Sequence, residues 1–377
     1  MTHDECLVVR ARDLGIEFSG KTGEWNAITD VPGVRVGHTT LIDGEGPLVV
    51  GSGPVRTGVT VVIPHGDPMW ERPVFAGSHR LNGNGEMTGL EWIRESGMLT
   101  SIIGLTNTHS VGAVRDALIG WEAAQRGSSE LFWRLPVVAE TWDGVLNDLN
   151  GQHVHSKHLL AALEVASGGP VQEGNVGSGT GMICHGFKGG IGTASRLVEV
   201  GGSTYVVGIL VQANHGTRKR LSILGVPVGR SITEHEVPLA HSAIAEGAGS
   251  IIGIVATNAP MIPSQLCGLA QRVGLGIARS GGLGEHTSGD LFLAFSTANP
   301  SLLPCDVVES AQLVSQFEML AHAYLDPFYE AVVEVTEEAI VNALVAADTM
   351  VGRDGITVFR LPHERVVELM AQAGRHA

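Results

Sequence analysis

Glycine-rich segments that otherwise have the composition of β-strands run through the middle of this chain. Glycine accounts for 51 of the 377 residues, and segments 174–182 and 189–195 combine it with Val, Ile, Thr and Ser. Glycine weakens the interior of a strand, so its repeated use there indicates that another backbone or a ligand approaches closely. These segments therefore predict either two closely packed sheets or a backbone that lies against a ligand.

The order of the expected elements narrows the fold class. Buried strands are indicated where β-branched residues run together, and they come in consecutive pairs between helices. A strict alternation of strand and helix would be typical of a parallel sheet, whereas consecutive strands favour α+β layering. Two face-to-face sheets with helices outside would put the glycines where packed layers approach closely. Residues 1–24 are expected to form a loosely structured arm, and two or three helices are expected over 306–348.

One hydroxyl residue, Ser250, lies between a flexible Gly/Ala run at 247–249 and an apolar run at 251–255 that predicts a buried strand. If the chain were cut before Ser250, this serine would carry both a nucleophile and, in its α-amine, a base. The α-amine has an unperturbed pKa of roughly 7.7–8.0, close enough to neutral pH to accept the hydroxyl proton. Alternatively, Gly-Ser only opens the strand, since glycine also precedes serine at positions 52, 78, 128, 178 and 203. The stretch 217–249 has little periodic pattern and is expected to be a flexible linker before the cut.

Composition and charge exclude several classes of partner. The net charge of −15 argues against nucleic acid, because phosphate binding requires clustered Lys and Arg. No apolar run approaches the roughly 20 residues that a membrane span needs. Residues 1–6 are acidic and show no apolar signal-peptide region, and four scattered cysteines show neither metal-ligand pairs nor disulfide spacing. We therefore expect a reduced, cytoplasmic protein that uses no metal and no cofactor and has no membrane or nucleic-acid partner.

Seven blocks, in order along the chain from about residue 10 to the C-terminus, resemble one enzyme family. They are ITDVPGVRVGH (28–38), LTNTHSVG (105–112), ETWDG (140–144), GNVGSGTGM (174–182), QANHG (212–216), GS (249–250) and SGD (288–290). The chain resembles the L-aminopeptidase/D-Ala-esterase-amidase and β-peptidyl aminopeptidase family, which consists of self-processing N-terminal-serine hydrolases. The resemblance implies a single αββα domain over 1–377, a four-layer sandwich of two face-to-face β-sheets with helices outside.

The resemblance also implies a cut between Gly249 and Ser250. The products would be a long chain, 1–249, and a short chain, 250–377, that stay folded together. The Ser250 hydroxyl would attack the substrate carbonyl and form an acyl-enzyme, with its own α-amine as the proton shuttle. Asn214 matches the family's oxyanion donor, a kind of group whose loss can cost roughly 10²–10³ in rate. The alternative for Asn214 is a cap at a strand end.

Four further residues take roles from the resemblance. Ser288 and Asp290 match the pair that positions the nucleophile. If they lie on a strand, their side chains point to the same side because they are two residues apart. The alternative is that they form a solvent-facing turn. Relatives with Glu in place of Asp290 leave its detailed role open. Glu140 matches the carboxylate that receives the substrate's ammonium group, unless it is a surface glutamate. Trp142 departs from a family Tyr, so it keeps an N–H donor but loses a hydroxyl acceptor.

The resemblance implies an aminopeptidase or amidase that releases N-terminal residues from short peptides, amides or esters. Preference for L-α, D-α or β residues stays open, because Trp142 would reshape the site. The histidines of two matched blocks, His109 and His215, are interpreted as structural. We expect a homo-oligomer of cleaved protomers, with a tetramer as one option. The rival functions are an acyltransferase of ornithine acetyltransferase-like architecture, which would use an N-terminal threonine, and a non-enzymatic binding protein on the same fold.

The Gly249–Ser250 pattern makes a prediction that a denaturing gel can check. The purified protein should give two fragments, and N-terminal sequencing of the shorter one should begin Ser-Ile-Ile. A single full-length band from a preparation with undiminished peptidase activity would contradict self-cleavage.

Overall fold

The computed structural model describes residues 9–127, 131–240, 249–305 and 313–375. Its strands are β1 (Arg35–Asp43), β2 (Val55–Ile63), β3 (Val74–Arg80), β4 (Met98–Leu99), β5 (Ile103–Asn107), β6 (Val137–Thr141), β7 (Ile183–Cys184), β8 (Phe187–Lys188), β9 (Gly190–Val200), β10 (Ser203–Asn214), β11 (Ser250–Thr257), β12 (Leu291–Ser296), β13 (Met350–Val351) and β14 (Thr357–Val358). Its α-helices are α1 (Leu90–Ser96), α2 (Val111–Arg126), α3 (Ser156–Glu164), α4 (Val228–Ser231), α5 (Pro263–Arg279), α6 (Asp326–Val345) and α7 (His363–Gln372).

Two mixed sheets form the middle of the molecule. The first has the strand order β1-β2-β5-β6, and the second has the order β4-β3-β12-β11-β10-β9. In the second sheet, β11 pairs antiparallel with β10 and parallel with β12. Strand β11 is therefore held on both edges, and every one of its residues is buried. The residue that begins β11, Ser250, is thus placed by the interior of a sheet.

The layers follow from which faces are apolar. Helices α2 and α3 pack on the first sheet, and α5 and α6 pack on the second. Along β11, Ile251 and Val255 join the apolar cluster that includes α5 and α6, whereas Ile252 and Ile254 join the cluster that includes the first sheet. Successive side chains of a strand point to opposite faces, so a strand covered on both sides must be apolar throughout. The predicted αββα sandwich is confirmed.

Glycines permit close approaches within this sandwich. A Cβ at Gly192 in β9 would lie 1.9 Å from the carbonyl oxygen of Ala339, so only glycine lets α6 pack so closely on the second sheet. Gly177 has φ +53°, and a Cβ there would lie 2.3 Å from the hydroxyl of Thr60 in β2. The glycine-rich segments therefore do bring backbones together, but their close neighbours here are a helix and a strand of the first sheet.

Some local expectations differ from the structure. The arm predicted over 1–24 is packed in its described part, since Ala11, Ile16 and Phe18 are buried in the cluster that contains α6. Its polar backbone is anchored, because the Ala11 N–H donates to Asn342 at 3.0 Å. Within 306–348, the described residues form one long helix, α6, preceded by a short 3₁₀ turn.

The stretch 217–249 carries two short helical segments, a 3₁₀ turn at Arg218–Arg220 and α4, before the start of β11. Leu221, Ile223 and Val228 in this stretch are fully buried. Residues 241–248, which hold most of the Gly/Ala run, lie outside the described residues.

No helix within the described part of the chain has the length and apolar character that crossing a bilayer requires.

A buried ionic network ties the N-terminal segment to α6. The Glu338 carboxylate accepts hydrogen bonds from Arg12, Arg196 and Asn26, each at 2.6 Å. Its side chain is fully buried, and that of Arg196 is 2% exposed. Burial opposes ionisation, but the hydrogen bonds and charges of Arg12 and Arg196 outweigh it and hold the pKa of Glu338 below its ordinary value.

Removing this carboxylate should destabilise the fold strongly. We expect Glu338→Ala to lower the free energy of unfolding by about 3–5 kcal/mol, because it leaves Arg196 buried without its main counter-charge. Urea denaturation measures this loss. The matched control is Glu330→Ala, which changes an exposed glutamate of the same helix and should stay within about 0.5 kcal/mol of the parent. Equal effects of the two changes would contradict the role assigned to the network.

Candidate active site

Sheet register brings the expected site residues together. Asn214, the last residue of β10, is the direct cross-strand partner of Ser250, the first residue of β11. Strand β12 runs parallel to β11 and begins at Leu291, so the segment 288–290 lies beside the start of β11. All four residues, Asn214, Ser250, Ser288 and Asp290, are at most 5% exposed. Three chain segments far apart in sequence therefore meet at one end of the second sheet.

The Ser250 hydroxyl lies in a defined hydrogen-bond position. Its Oγ accepts a hydrogen bond from the backbone N–H of Gly289 at 2.9 Å. One residue on, the Ile251 N–H donates to Oδ1 of Asp290 at 3.1 Å. The same Oδ1 accepts the hydroxyl of Ser288 at 2.5 Å. The segment 288–290 thus holds both the side chain of Ser250 and the backbone just after it.

Asn82 is a residue of this site that the sequence reasoning missed. Its Nδ2 donates to Oδ2 of Asp290 at 2.7 Å, and its Oδ1 accepts the Asp290 N–H at 2.6 Å. The Asp290 carboxylate therefore accepts from three segments of the chain. Burial raises the pKa of Asp290, and the hydrogen bonds from Ser288, Asn82 and Ile251 oppose that rise.

Two glycines let the loop 82–86 lie against the segment 288–290. A Cβ on Gly289 would lie 2.4 Å from Cα of Gly85, and a Cβ on Gly85 would lie 2.7 Å from Cα of Gly289. Backbone bonding continues the contact, since the Asn84 N–H donates to the Ser288 carbonyl at 3.0 Å. Gly85 of the loop is therefore explained by backbone packing against Gly289 beside Ser250, and a side chain at either of these two positions would separate the segments.

The Asn214 side chain is fixed at both ends of its amide. Its Nδ2 donates to the Trp142 carbonyl at 2.9 Å, and its Oδ1 accepts the Ile183 N–H at 2.7 Å. Gly249 packs directly on Asn214: a Cβ at Gly249 would lie 1.9 Å from the Asn214 carbonyl oxygen and 3.4 Å from Nδ2. The position before Ser250 therefore has no room for a side chain, and the Asn214 amide lies next to the Gly249–Ser250 bond.

A carboxylate lines the cavity in front of Ser250. Glu140 is 3% exposed, and its Oε2 accepts the Thr108 hydroxyl at 2.5 Å while its Oε1 accepts the Glu86 N–H at 2.9 Å. Burial raises the pKa of Glu140, opposed by these two hydrogen bonds. The surface glutamate considered from sequence is therefore excluded. Thr108 belongs to a block used for the resemblance, yet its contact with Glu140 had not been inferred.

The cavity has a volume of about 590 Å³. Glu140, Trp142, Gly249 and Ser250 line it together with Thr108, Thr287 and the loop 83–86. Trp142 reaches Asn214 through its backbone carbonyl, as given above, and its indole packs so closely on Gly144 that a Cβ there would lie 2.5 Å from the ring. The site thus places a hydroxyl and a buried carboxylate on one cavity, with the Asn214 amide packed against Gly249, which suits attack on a carbonyl beside a cationic group.

Comparison with known proteins agrees with this chemistry. The model of peptidase family S58 matches residues 26–358. A curated relative, β-peptidyl aminopeptidase BapA of Sphingosinicella microcystinivorans, is 48% identical over 98% of this chain and 93% of its own length. The family resemblance drawn from the seven blocks is confirmed.

Solved structures agree as well. A β-aminopeptidase from Burkholderia sp. superposes with a TM-score of 0.90 at 47% identity, covering 97% of this chain and 99% of its own. The L-aminopeptidase D-Ala-esterase/amidase from Ochrobactrum anthropi, described as a variant of the Ntn hydrolase fold, superposes with a TM-score of 0.88 at 44% identity, covering 98% and 99% of the two chains.

Proposed function

Since this chain belongs to peptidase family S58 and is an aminopeptidase, we propose that it is a self-processing N-terminal-serine enzyme with Ser250 as nucleophile. It would release N-terminal residues from short peptides, amides or esters through an acyl-enzyme. The observation that carries the proposal is the site around Ser250: Ser250, Gly249 and Glu140 line one cavity, and the Asn214 amide packs against Gly249 beside the Gly249–Ser250 bond.

Self-cleavage would be the first reaction of the site. The Ser250 Oγ attacks the Gly249 carbonyl carbon, the C–N bond to Ser250 breaks, and an ester links Gly249 to Oγ. Water then hydrolyses the ester, which frees the hydroxyl and leaves Ser250 with an α-amine. Close packing at Gly249 supports this step, because a glycine is the one residue that fits against Asn214 there. The products would be the chains 1–249 and 250–377.

Peptide cleavage would reuse the same groups. The α-amine of Ser250 takes the hydroxyl proton as Oγ attacks the substrate carbonyl, and it returns the proton to the leaving amine. The Asn214 amide has two N–H donors; the Trp142 carbonyl takes one, and the proposal assigns the other to the developing oxyanion. Asp290, with Ser288 and Asn82, keeps the start of β11 in place and contributes negative charge near the amine.

Glu140 would select a free N-terminus. Its buried carboxylate lines the cavity that Ser250 opens into, so it offers an ion pair to a substrate ammonium in a poorly hydrated place. An internal peptide bond has no such cation and would leave the carboxylate without a counter-charge. This arrangement supports an exopeptidase that acts on the first residue of its substrate.

The nucleophile is tested by Ser250→Ala. This variant should stay uncut and inactive, because both reactions need the Oγ, whereas Ser250→Cys should still cut because a thiol can make the same acyl shift. Gels and hydrolysis of an amino-acid amide measure the two outcomes. The control is Ser203→Ala, which changes an exposed Gly-Ser serine at the far end of β10 and should be processed and active. Cleavage and full activity of Ser250→Ala would place the nucleophile elsewhere.

The oxyanion donor is tested by Asn214→Ala. We expect kcat of the processed enzyme to fall by roughly 10²–10³, because one preorganised donor is lost. Steady-state kinetics on the processed fraction measure it. Asn258→Ala serves as control, since Asn258 also caps a strand backbone, through the Val206 N–H at 2.7 Å, but at the opposite end of β10. An unchanged kcat in processed Asn214→Ala would remove the residue from the mechanism.

The ammonium site is tested by Glu140→Gln. KM for unblocked substrates should rise by roughly tenfold or more, the loss expected for one charge-assisted contact. Burial raises the pKa of Glu140, so as the pH falls this carboxylate takes up its proton earlier, at a higher pH, than an ordinary glutamate. The parent should therefore lose affinity for unblocked substrates over that higher pH range, and the affinity of the variant should not show this pH dependence. Glu86→Gln is the control, an exposed carboxylate on the same cavity. Equal turnover of N-acetylated and free substrates by the parent would dismiss the role of Glu140.

A further inference from the structure

Behind Asn214, three side chains with metal-binding atoms meet in the protein interior. Cys184 ends β7, His185 follows it, and His215 follows the last residue of β10. Their exposed fractions are 0%, 0% and 3%. The thiol sulfur and one ring nitrogen from each histidine lie within 4.8 Å of one another, and the Cys184 Sγ is 3.8 Å from Nδ1 of His215. One cysteine and two histidines form a ligand set suited to Zn²⁺ and its neighbours.

Both imidazoles have a nitrogen that nothing in the described chain satisfies. Nδ1 of His185 lies 3.1 Å from the Thr217 carbonyl oxygen, so this nitrogen carries the proton and Nε2 keeps a lone pair. Among the described residues, neither Nε2 of His185 nor Nε2 of His215 has a hydrogen-bond partner. A buried imidazole whose N–H is fixed by a carbonyl, with its other nitrogen free, is the form that ligates a metal.

The backbone is shaped to hold these rings together. His185 has φ +50°, a conformation that side-chain-bearing residues rarely adopt. Its N–H donates to the His215 carbonyl at 2.7 Å. Gly216 has φ +81°, and a Cβ there would lie 2.3 Å from the His185 ring, so glycine is needed to seat it. The ring centroids are 5.1 Å apart with an interplanar angle of 68°.

We propose that Cys184, His185 and His215 bind one transition-metal ion of the Zn²⁺ class. The ligands are the Cys184 sulfur and one ring nitrogen of each histidine. On binding, a sulfur–metal bond replaces the S–H bond of Cys184, and the proton leaves to solvent. No electron transfer is involved, since Zn²⁺ does not change its oxidation state. The ion would take a lone pair from each of the two buried imidazoles.

The site bears on the orientation of Asn214. Ile183, directly before Cys184, donates its N–H to Oδ1 of Asn214, and His215 directly follows Asn214. An ion that joins Cys184 to His215 would therefore clamp the segment that binds Oδ1 of Asn214 to the segment that carries Asn214. The ion is a structural brace in this proposal, because it lies behind the amide rather than in the cavity before Ser250. Metal binding itself does not depend on the peptidase mechanism proposed above.

The test is metal content and the Co²⁺ spectrum of the full-length protein. Protein expressed with added Zn²⁺ and dialysed should retain one Zn²⁺ per chain by elemental analysis. Protein expressed with Co²⁺ should show a sulfur-to-cobalt charge-transfer absorption. Cys184→Ser should lose that absorption and most of the metal. Cys267→Ser, which changes an exposed cysteine of α5, should keep both.

A histidine pair of variants covers the case in which Cys184→Ser fails to fold. His215→Gln should lose the metal, whereas His155→Gln, at an exposed position before α3, should keep it. Wild-type protein that retains no metal and shows no sulfur-to-cobalt absorption would overturn the proposal, with the ring nitrogens then bound to water. Full retention of metal by a folded Cys184→Ser or His215→Gln would overturn it as well.

Discussion

The geometry of the active site depends on one buried carboxylate. Asp290 accepts hydrogen bonds from the Ser288 hydroxyl, the Asn82 amide and the Ile251 N–H, which belong to three different stretches of chain. Ser288 and Ile251 are buried with it and Asn82 is half-buried, so losing the acceptor would leave buried donors unsatisfied, at about 1–3 kcal/mol for each. The loop 82–86, the segment 288–290 and the start of β11 are therefore held as one unit, and this unit presents the Ser250 hydroxyl.

Sheet register supplies the other half of the site. Asn214 faces Ser250 because β10 and β11 pair antiparallel in a single register, from Val207 opposite Thr257 to Asn214 opposite Ser250. A slip of one residue would turn every side chain of β11 to the other face and bury none of them correctly. The parallel pairing with β12 fixes β11 from its second edge. The separation of Asn214 and Ser250 is thus set by the packing of the whole sandwich.

The sequence was sufficient for the layers and for the residues that carry a local pattern. The apolar run after Ser250 lies in β11. The block with Glu140 lines the same cavity as Ser250, and the blocks with Asn214 and with 288–290 contact the start of β11. The sequence did not identify Asn82 and Thr108 as site residues, because they join the site only through contacts with Asp290 and Glu140, which are distant in sequence. The packed part of the N-terminal arm was missed for a similar reason, since its anchors are in α6, more than 300 residues away.

The contacts around the Gly249–Ser250 bond are divided unequally between its two sides. On the side of Ser250, the chain enters the central strand at once, with Oγ bound by the Gly289 N–H and the next backbone N–H bound by Asp290. On the side of Gly249, the contact that stands out is the close packing on Asn214, which only a glycine permits. New chain ends usually fray unless they are tied into a sheet. A new N-terminus at Ser250 would already be tied down by bonds that do not involve the bond to be cut. Its amine would therefore stay within reach of its own hydroxyl, which is the condition for that amine to act as a base.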